Sequence, residues 1–106
     1  MLIDADPQGD LTTYMGWHNL EEISNTLATI LEETINDKEI NFDDVILYHE
    51  EGLDLIPSNL DLSTIEISLV NAMSREYVMK NSIKTIKNKY DTRENKSSIK
   101  CFRGNN

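Results

Sequence analysis

The sequence predicts an α/β fold in which two parallel strands are flanked by helices. Two short segments rich in apolar residues, residues 1–3 and residues 53–56, are typical of strands, and each is followed by a loop that contains proline. Between and after them, apolar residues recur with the spacing of amphipathic helices. A strand, helix, strand order needs a crossover connection, which places the two strands parallel in one sheet. We therefore expect residues 2–4 to pair in parallel with residues 53–56.

The first strand ends at an aspartate-rich loop. Pro7 fixes the backbone and has no N–H, so the ladder of strand hydrogen bonds cannot continue through it. A helix is expected to open within residues 11–15. Asp10 or Thr12 would serve as its N-cap, because a side-chain oxygen there can accept from the first backbone N–H groups.

Two helical segments are expected between the strands. Leu27, Ile30 and Leu31 share one face of an amphipathic helix predicted over residues 26–35. A short helical turn is expected at residues 42–47. These segments supply the crossover between the two strands.

The second strand leads into a long helix. Pro57 ends the strand, and Ser63 followed three residues later by Glu66 forms a capping-box pattern. Apolar residues continue at helical spacing, which predicts a helix over residues 63–90 with a bend near Ser74.

The composition is that of an ordinary globular domain. The 106 residues are 39% hydrophobic and 27% charged, which suits a single domain with a modest core. No apolar run approaches the roughly 18 residues of a membrane span, and no basic-then-apolar signal peptide is present. We expect a cytoplasmic location and no membrane partner. The single cysteine supports neither an internal disulfide nor a zinc site.

The charge is unevenly distributed along the chain. Residues 1–91 hold 6 Lys/Arg against 18 Asp/Glu, whereas residues 92–106 hold 4 against 1. An acidic body repels nucleic acid, so the chain alone is not expected to bind DNA. From Thr92 the periodicity also ends and apolar residues are few. We expect a domain at residues 1–91 and a disordered tail without a strand at residues 92–106.

The loop after the first strand carries three aspartates, which residue chemistry explains in more than one way. Asp4, Asp6 and Gly9 match the opening of a calcium-binding EF-hand loop, but Gln8 stands where that pattern has aspartate or asparagine, and Met15 stands where it requires a bidentate glutamate. A structural explanation is stronger, since aspartates also end strands, form turns and cap helices. Spacing alone leaves a structural and a chemical role open.

Three blocks of the sequence resemble a known family. The segment LIDADPQGDLTTYMG, residues 2–16, is similar to the segment after the second strand of ParA/Soj-type partition ATPases, which are relatives of MinD in the deviant Walker A class. GLDLIPSNLDLS, residues 52–63, resembles that family's third strand and loop, and SREYVMKNSIKTIKNKYD, residues 74–91, resembles the helix before its Walker B strand. The resemblance implies a partial P-loop NTPase fold, ParA/MinD-like, with two parallel strands and flanking helices.

The resemblance implies a role for each aspartate. Asp6 corresponds to the switch I aspartate that orients or activates the attacking water, which makes it the candidate catalytic residue. Asp10 stands where the wider class places a residue near Mg²⁺, so it is the candidate metal and cofactor-binding residue. Asp4 is expected to support the cofactor site. ATP and Mg²⁺ are the implied cofactors, and a cation would relieve the repulsion among these acids.

The other half of such a site has no counterpart among these 106 residues. The family's Walker A pattern, K-G-G-x-G-K-[ST]-T, requires a glycine followed by lysine, and none of the four glycines is followed by lysine. After residue 91 the family continues with a strand that ends in the Walker B aspartate, whereas this sequence changes abruptly, as a frameshift or truncation would produce. We expect a fragment that is inactive alone and whose ATP binding is doubtful.

The resemblance also implies partners. Intact relatives form a nucleotide-dependent self-dimer, bind DNA non-specifically and respond to a ParB-like protein in plasmid or chromosome partition. A different class of function stays open from the residues themselves. The chain would then be a non-catalytic acidic interaction module that pairs with a full-length ParA-like or ParB-like partner.

Overall fold

A computed structural model describes residues 1–39, 41–48, 54–69, 71–94 and 99–103. Within these ranges the chain forms four strands and four helices, joined in part by 3-10 turns at Leu20–Glu22 and Phe42–Asp44. In chain order the elements are β1 (Leu2–Asp4), α1 (Asp10–Tyr14), α2 (Leu27–Ile35), β2 (Leu47–Tyr48), β3 (Asp54–Ile56), α3 (Asp61–Ser68), α4 (Ala72–Glu94) and β4 (Lys100–Phe102). The α/β class predicted from the sequence is confirmed.

The strands form one mixed sheet with the order β2-β3-β1-β4. β1 pairs in parallel with β3, with Leu2 opposite Leu55 and Ile3 opposite Ile56. The predicted parallel pairing is therefore confirmed, although residue 53 of the predicted strand lies outside the described residues. β2 pairs antiparallel with β3, in a segment where a helical turn was expected to reach residue 47.

β4 corrects the prediction that no strand follows residue 92. It pairs in parallel with β1, and the Ala5 N–H donates to the Phe102 carbonyl over 2.6 Å. At the other end, the Lys100 N–H donates to the Met1 carbonyl over 3.0 Å. The pairing satisfies backbone groups of the central strand, and backbone pairing needs no apolar periodicity in the added strand. α4 also continues past residue 91, to Glu94.

The predicted α2 is confirmed, with Thr26 as its N-cap. The Thr26 hydroxyl accepts from the Ala28 N–H over 3.1 Å, and the Thr29 hydroxyl accepts from the Thr26 N–H over 3.0 Å. The expected caps of α1 are wrong. Gly9 occupies the N-cap position and has no side chain with which to cap the helix, and the Asp4 carboxylate accepts from the Thr12 N–H instead, over 2.9 Å.

The long helix predicted over residues 63–90 is two helices. α3 ends at Ser68 and α4 begins at Ala72, and Leu69 between them is extended. The capping box is also wrong, because α3 starts at Asp61 and Ser63 lies inside it. The first N–H of α3 donates instead to the Asn59 side chain over 3.0 Å.

The core lies where α2, α3 and α4 pack together and against the sheet. Its fully buried apolar side chains are Ile3, Leu27, Ile30, Leu31, Val45, Ile56, Leu62 and Ile86. α4 also buries a serine, whose hydroxyl donates to the Thr34 hydroxyl of α2 over 3.1 Å. In the part of the chain that the structure describes, no helix combines the length and apolarity needed to cross a membrane.

We predict that truncating one face of α2 destabilises the domain far more than truncating the other. Ile30 is completely buried, whereas Ile35 in the same helix is 44% exposed. Ile30→Ala should lower the free energy of unfolding by about 2 to 5 kcal/mol, through lost transfer energy and a cavity. Ile35→Ala, the control, should cost less than about 1 kcal/mol. Urea unfolding followed by circular dichroism measures both, and equal losses would contradict this assignment of the core.

Candidate functional site

The three aspartates lie at the carboxyl end of β1, beside the carboxyl end of β3. Because parallel strands end at the same edge of the sheet, the loop after β1 and the loop after β3 meet there. Asp4 is the last residue of β1, and Ser58 follows β3 by two residues. In open α/β sheets this edge is where ligands bind.

The Asp4 carboxylate is completely buried and holds the loop to α1. Its Oδ1 accepts from the Asp6 N–H over 3.1 Å. Its Oδ2 accepts from both the N–H and the hydroxyl of Thr12, over 2.9 and 2.6 Å. Three donors thus satisfy a carboxylate that would be costly to bury alone. Asp4 therefore supports the loop, and its carboxylate is engaged by protein groups.

Gly9 closes the loop in a left-handed conformation, with φ of 67°. Its N–H donates to the Asp6 carbonyl over 2.8 Å, which makes a tight turn between the two. A Cβ at this position would lie 2.5 Å from Leu20 Cδ1 and 2.9 Å from the Ser58 carbonyl oxygen. Both the backbone angle and the close packing therefore require glycine.

Asp6 and Asp10 are brought together by this turn. Asp6 is buried, and its Oδ1 accepts from the Gln8 N–H over 3.1 Å, while Asp10 begins α1 and is exposed. The neighbouring Asp6 carboxylate raises the pKa of Asp10 above its ordinary value of 3.8. Desolvation, a hydrogen bond with Asp6 and the Asp4 charge raise that pKa further. Two like charges thus face one another at the strand end.

The paired carboxylates fit a divalent cation, but only as part of its coordination shell. Mg²⁺ is usually held by one or two carboxylates, with phosphates and water completing its six ligands. Asp6 and Asp10 match that number, and a cation would relieve the repulsion that raises the Asp10 pKa. Among the described residues no group of three or more His, Cys, Asp or Glu side chains could hold a metal by itself. The donor set fits Mg²⁺ that arrives with a phosphate ligand.

Thr12 and Ser58 are site residues that the sequence did not reveal. Thr12 was considered only as a helix cap, yet its buried hydroxyl bonds Asp4 and accepts from the Ser58 N–H over 3.1 Å. The Ser58 hydroxyl is buried without a hydrogen-bond partner among the described residues. The sequence did predict that the loops after β1 and β3 meet, because it predicted that these two strands are parallel. The individual bonds depend on side-chain directions that spacing does not give.

The parallel strands, the crossover helices and the acidic loop together form an α/β domain whose loops meet at the carboxyl edge of its sheet. Comparison with known proteins agrees. The family model described as AAA domain matches residues 1–92. This chain belongs to that family. Its relatives include ParA-type ATPases.

Two characterised relatives illustrate the similarity. The sporulation initiation inhibitor protein Soj of Bacillus subtilis is 31% identical over 91 residues, which cover 86% of this chain and 34% of Soj. The chromosome partitioning protein ParA of Caulobacter vibrioides is 31% identical over 87 residues, which cover 82% of this chain and 31% of ParA. The chain thus spans between about a quarter and a third of the length of the relatives it matches.

A solved structure supports the fold. Cobyrinic acid a,c-diamide synthase from Mycobacterium smegmatis superimposes with a TM-score of 0.67 at 25% identity, covering 95% of this chain and 36% of the synthase. That synthase has been crystallised with an ATP analogue and magnesium. The ParA/MinD-like P-loop ATPase fold expected from the sequence is therefore confirmed.

We predict that Asp10→Asn stabilises the chain at neutral pH when no divalent cation is present. Because the folded-state pKa of Asp10 is raised, ionisation of this group opposes folding as the pH rises through that pKa. The difference in stability between Asp10→Asn and the unaltered chain should vanish below pH 3.8, where the Asp10 carboxyl is protonated in both the folded and the unfolded chain. Thermal unfolding in EDTA across this pH range measures the effect.

Asp61→Asn is the matched control, because it removes one negative charge from an exposed position in the first turn of α3, as Asp10→Asn does in the first turn of α1. It reports the general benefit of lowering the net charge of -9. Stabilisation by Asp10→Asn that does not exceed the control at neutral pH would contradict the close approach of Asp6 and Asp10.

Proposed function

We propose that this chain supplies the switch I part of the nucleotide site of a ParA-type ATPase that acts in chromosome or plasmid partition. The observation that carries the proposal is the Asp6–Asp10 carboxylate pair, at the carboxyl edge of a sheet, inside the segment that matches the family. The similarity to ParA and Soj supports the partition role.

Each aspartate has a distinct part in this proposal. Asp6 orients the water that attacks the γ-phosphate, and its position is fixed because its own N–H is held by Asp4. Asp10 is the ligand for Mg²⁺, directly or through water. Asp4 acts on the cofactor only through the loop it holds. Bound Mg²⁺ would neutralise phosphate charge and the charge of the carboxylate pair.

The phosphate-binding loop would come from a segment other than these 106 residues. Without Walker A amides and lysine, nothing in the sequence offsets the repulsion between the carboxylates and a triphosphate. We therefore propose that the isolated chain neither hydrolyses ATP nor binds it tightly. Residues 92–106 are proposed to be an out-of-frame sequence that follows the family segment, although Lys100–Phe102 pair with β1 at the edge of the sheet.

The partners are proposed for the whole protein. A ParB-like protein, a second copy of the ATPase and non-specific DNA are the partners that the family implies, in the cytoplasm. The acidic chain itself should contribute little to DNA binding, because residues 1–91 carry three times as many acidic as basic residues.

The interaction module is the competing proposal. One observation favours it, since Ile67, Met73 and Tyr77 of α3 and α4 are largely exposed apolar side chains. A module of this kind would form a defined complex with a ParA-like or ParB-like protein and would need neither Asp6 nor Asp10. The two proposals are therefore separated by the effect of changing these aspartates.

We predict that Asp6→Ala nearly abolishes hydrolysis in a complete ATPase while sparing nucleotide binding. The test protein is a chimera in which residues 1–91 replace the matching segment of Soj. Because orienting water matters more in the transition state than in the ground state, turnover should fall by about 100-fold or more. Phosphate release measures turnover, and fluorescent-ATP titration measures binding.

Asp61→Ala is the matched control, because it removes an exposed aspartate from the first turn of α3. It should leave both measurements unchanged. An Asp6→Ala chimera with undiminished turnover would overturn the catalytic role. An unaltered chimera that folds and binds ATP without hydrolysing it would overturn the proposed function. Micromolar, Mg²⁺-dependent ATP binding by the 106-residue chain would refute its proposed inactivity.

A further inference from the structure

We propose that Thr12 is a positioning residue for the metal site, acting through Asp4 to set the geometry of Asp6 and Asp10. The inference rests on the proposed function, because it assigns a role toward the Mg²⁺ that the carboxylate pair would hold. It goes beyond that function by naming a buried hydroxyl, outside the three aspartates, that fixes their relative position.

The hydrogen bonds around Thr12 have a defined direction. Its hydroxyl has one proton to donate, and it accepts from the Ser58 N–H over 3.1 Å. The hydroxyl proton is therefore directed to Asp4 Oδ2, which lies 2.6 Å away. The β3–α3 loop thus orients the Thr12 hydroxyl, and Thr12 orients the carboxylate.

The Asp4 carboxylate transmits this orientation to both members of the pair. Its other oxygen accepts from the Asp6 N–H over 3.1 Å, which fixes the loop that carries Asp6. The Thr12 N–H, bonded to Oδ2 over 2.9 Å, fixes the start of α1 two residues after Asp10. A rotation of this one carboxylate would move both metal-facing side chains.

Burial makes the arrangement rigid. Asp4 and Thr12 are completely buried, so water does not compete for their hydrogen bonds. Altering a residue that orients a metal ligand commonly changes the metal affinity by about 10- to 100-fold. Thr13, the next residue of α1, is only half-buried and has the same chemistry, so the chain contains its own control.

The test compares Thr12→Val, Thr12→Ser and Thr13→Val in the 106-residue chain. Valine keeps the shape of threonine and removes the hydroxyl, whereas serine keeps the hydroxyl. MgCl₂ is titrated against each chain while amide NMR shifts of residues 6–12 are followed. Thr12→Val should weaken Mg²⁺ binding about tenfold. Thr12→Ser and Thr13→Val should bind as the unaltered chain does.

A second readout needs no metal. Amide hydrogen exchange at Asp6 should accelerate in Thr12→Val, relative to exchange at Ile30, which reports opening of the core. An effect limited to overall stability would accelerate both amides alike and would refute a positioning role. So would unchanged Mg²⁺ affinity and Asp6 exchange in Thr12→Val, failure of Thr12→Ser to restore them, or an equal loss in Thr13→Val.

The two proposals fail in different ways. If the unaltered chain shows no response to MgCl₂ either alone or with inorganic phosphate, the metal-binding part of the proposed function is wrong. The Asp6 exchange rate then decides alone whether Thr12 positions the loop. If the unaltered chain binds Mg²⁺ and Thr12→Val binds it equally well, the positioning role is wrong while the metal site stands.

Discussion

The carboxyl edge of the sheet depends on one buried carboxylate. Asp4 ends the central strand, and its oxygens accept from a loop N–H, a helix N–H and a helix hydroxyl. Burying an unpaired carboxylate would cost several kcal/mol, so these bonds are needed before the strand can end there at all. The loop and the start of α1 are consequently fixed as a unit, and the positions of Asp6 and Asp10 follow from that.

The same arrangement opposes folding through charge. It places the Asp10 carboxylate close enough to that of Asp6 to raise the pKa of Asp10. The net charge of the chain is already -9. A structure selected for stability alone would separate these carboxylates or place a base between them. Like charges held together at a strand end are typical of functional sites, where a ligand supplies the missing countercharge. A cation held by the pair, as proposed, would relieve this repulsion.

Local patterns predicted local structure well. The α2 helix followed from apolar periodicity within one short segment, whereas the parallel β1–β3 pairing, which joins residues far apart in sequence, followed from the rule for crossover connections. β4 could not be predicted, because its pairing satisfies backbone groups of β1 and leaves no side-chain pattern. The start of α3 was missed for a related reason. Asn59 competes with Ser63 for the helix N–H groups, and only the path of the preceding loop decides between them.

The candidate site, like the fold, could be predicted only in part from the sequence. Its acidic residues could be read from the sequence, because the chemistry of carboxylates is independent of their surroundings. Its supporting bonds could not, since Thr12 and Ser58 are 46 residues apart and meet only when β1 and β3 pair. That pairing also determines what the chain can do by itself. The positions of Asp6 and Asp10 are fixed by bonds within the described residues, whereas the charge that would balance them must come with a ligand. The hydrogen bonds of the described residues thus fix the geometry of the pair but leave its charge unbalanced, as the proposed role of one half of a nucleotide site requires.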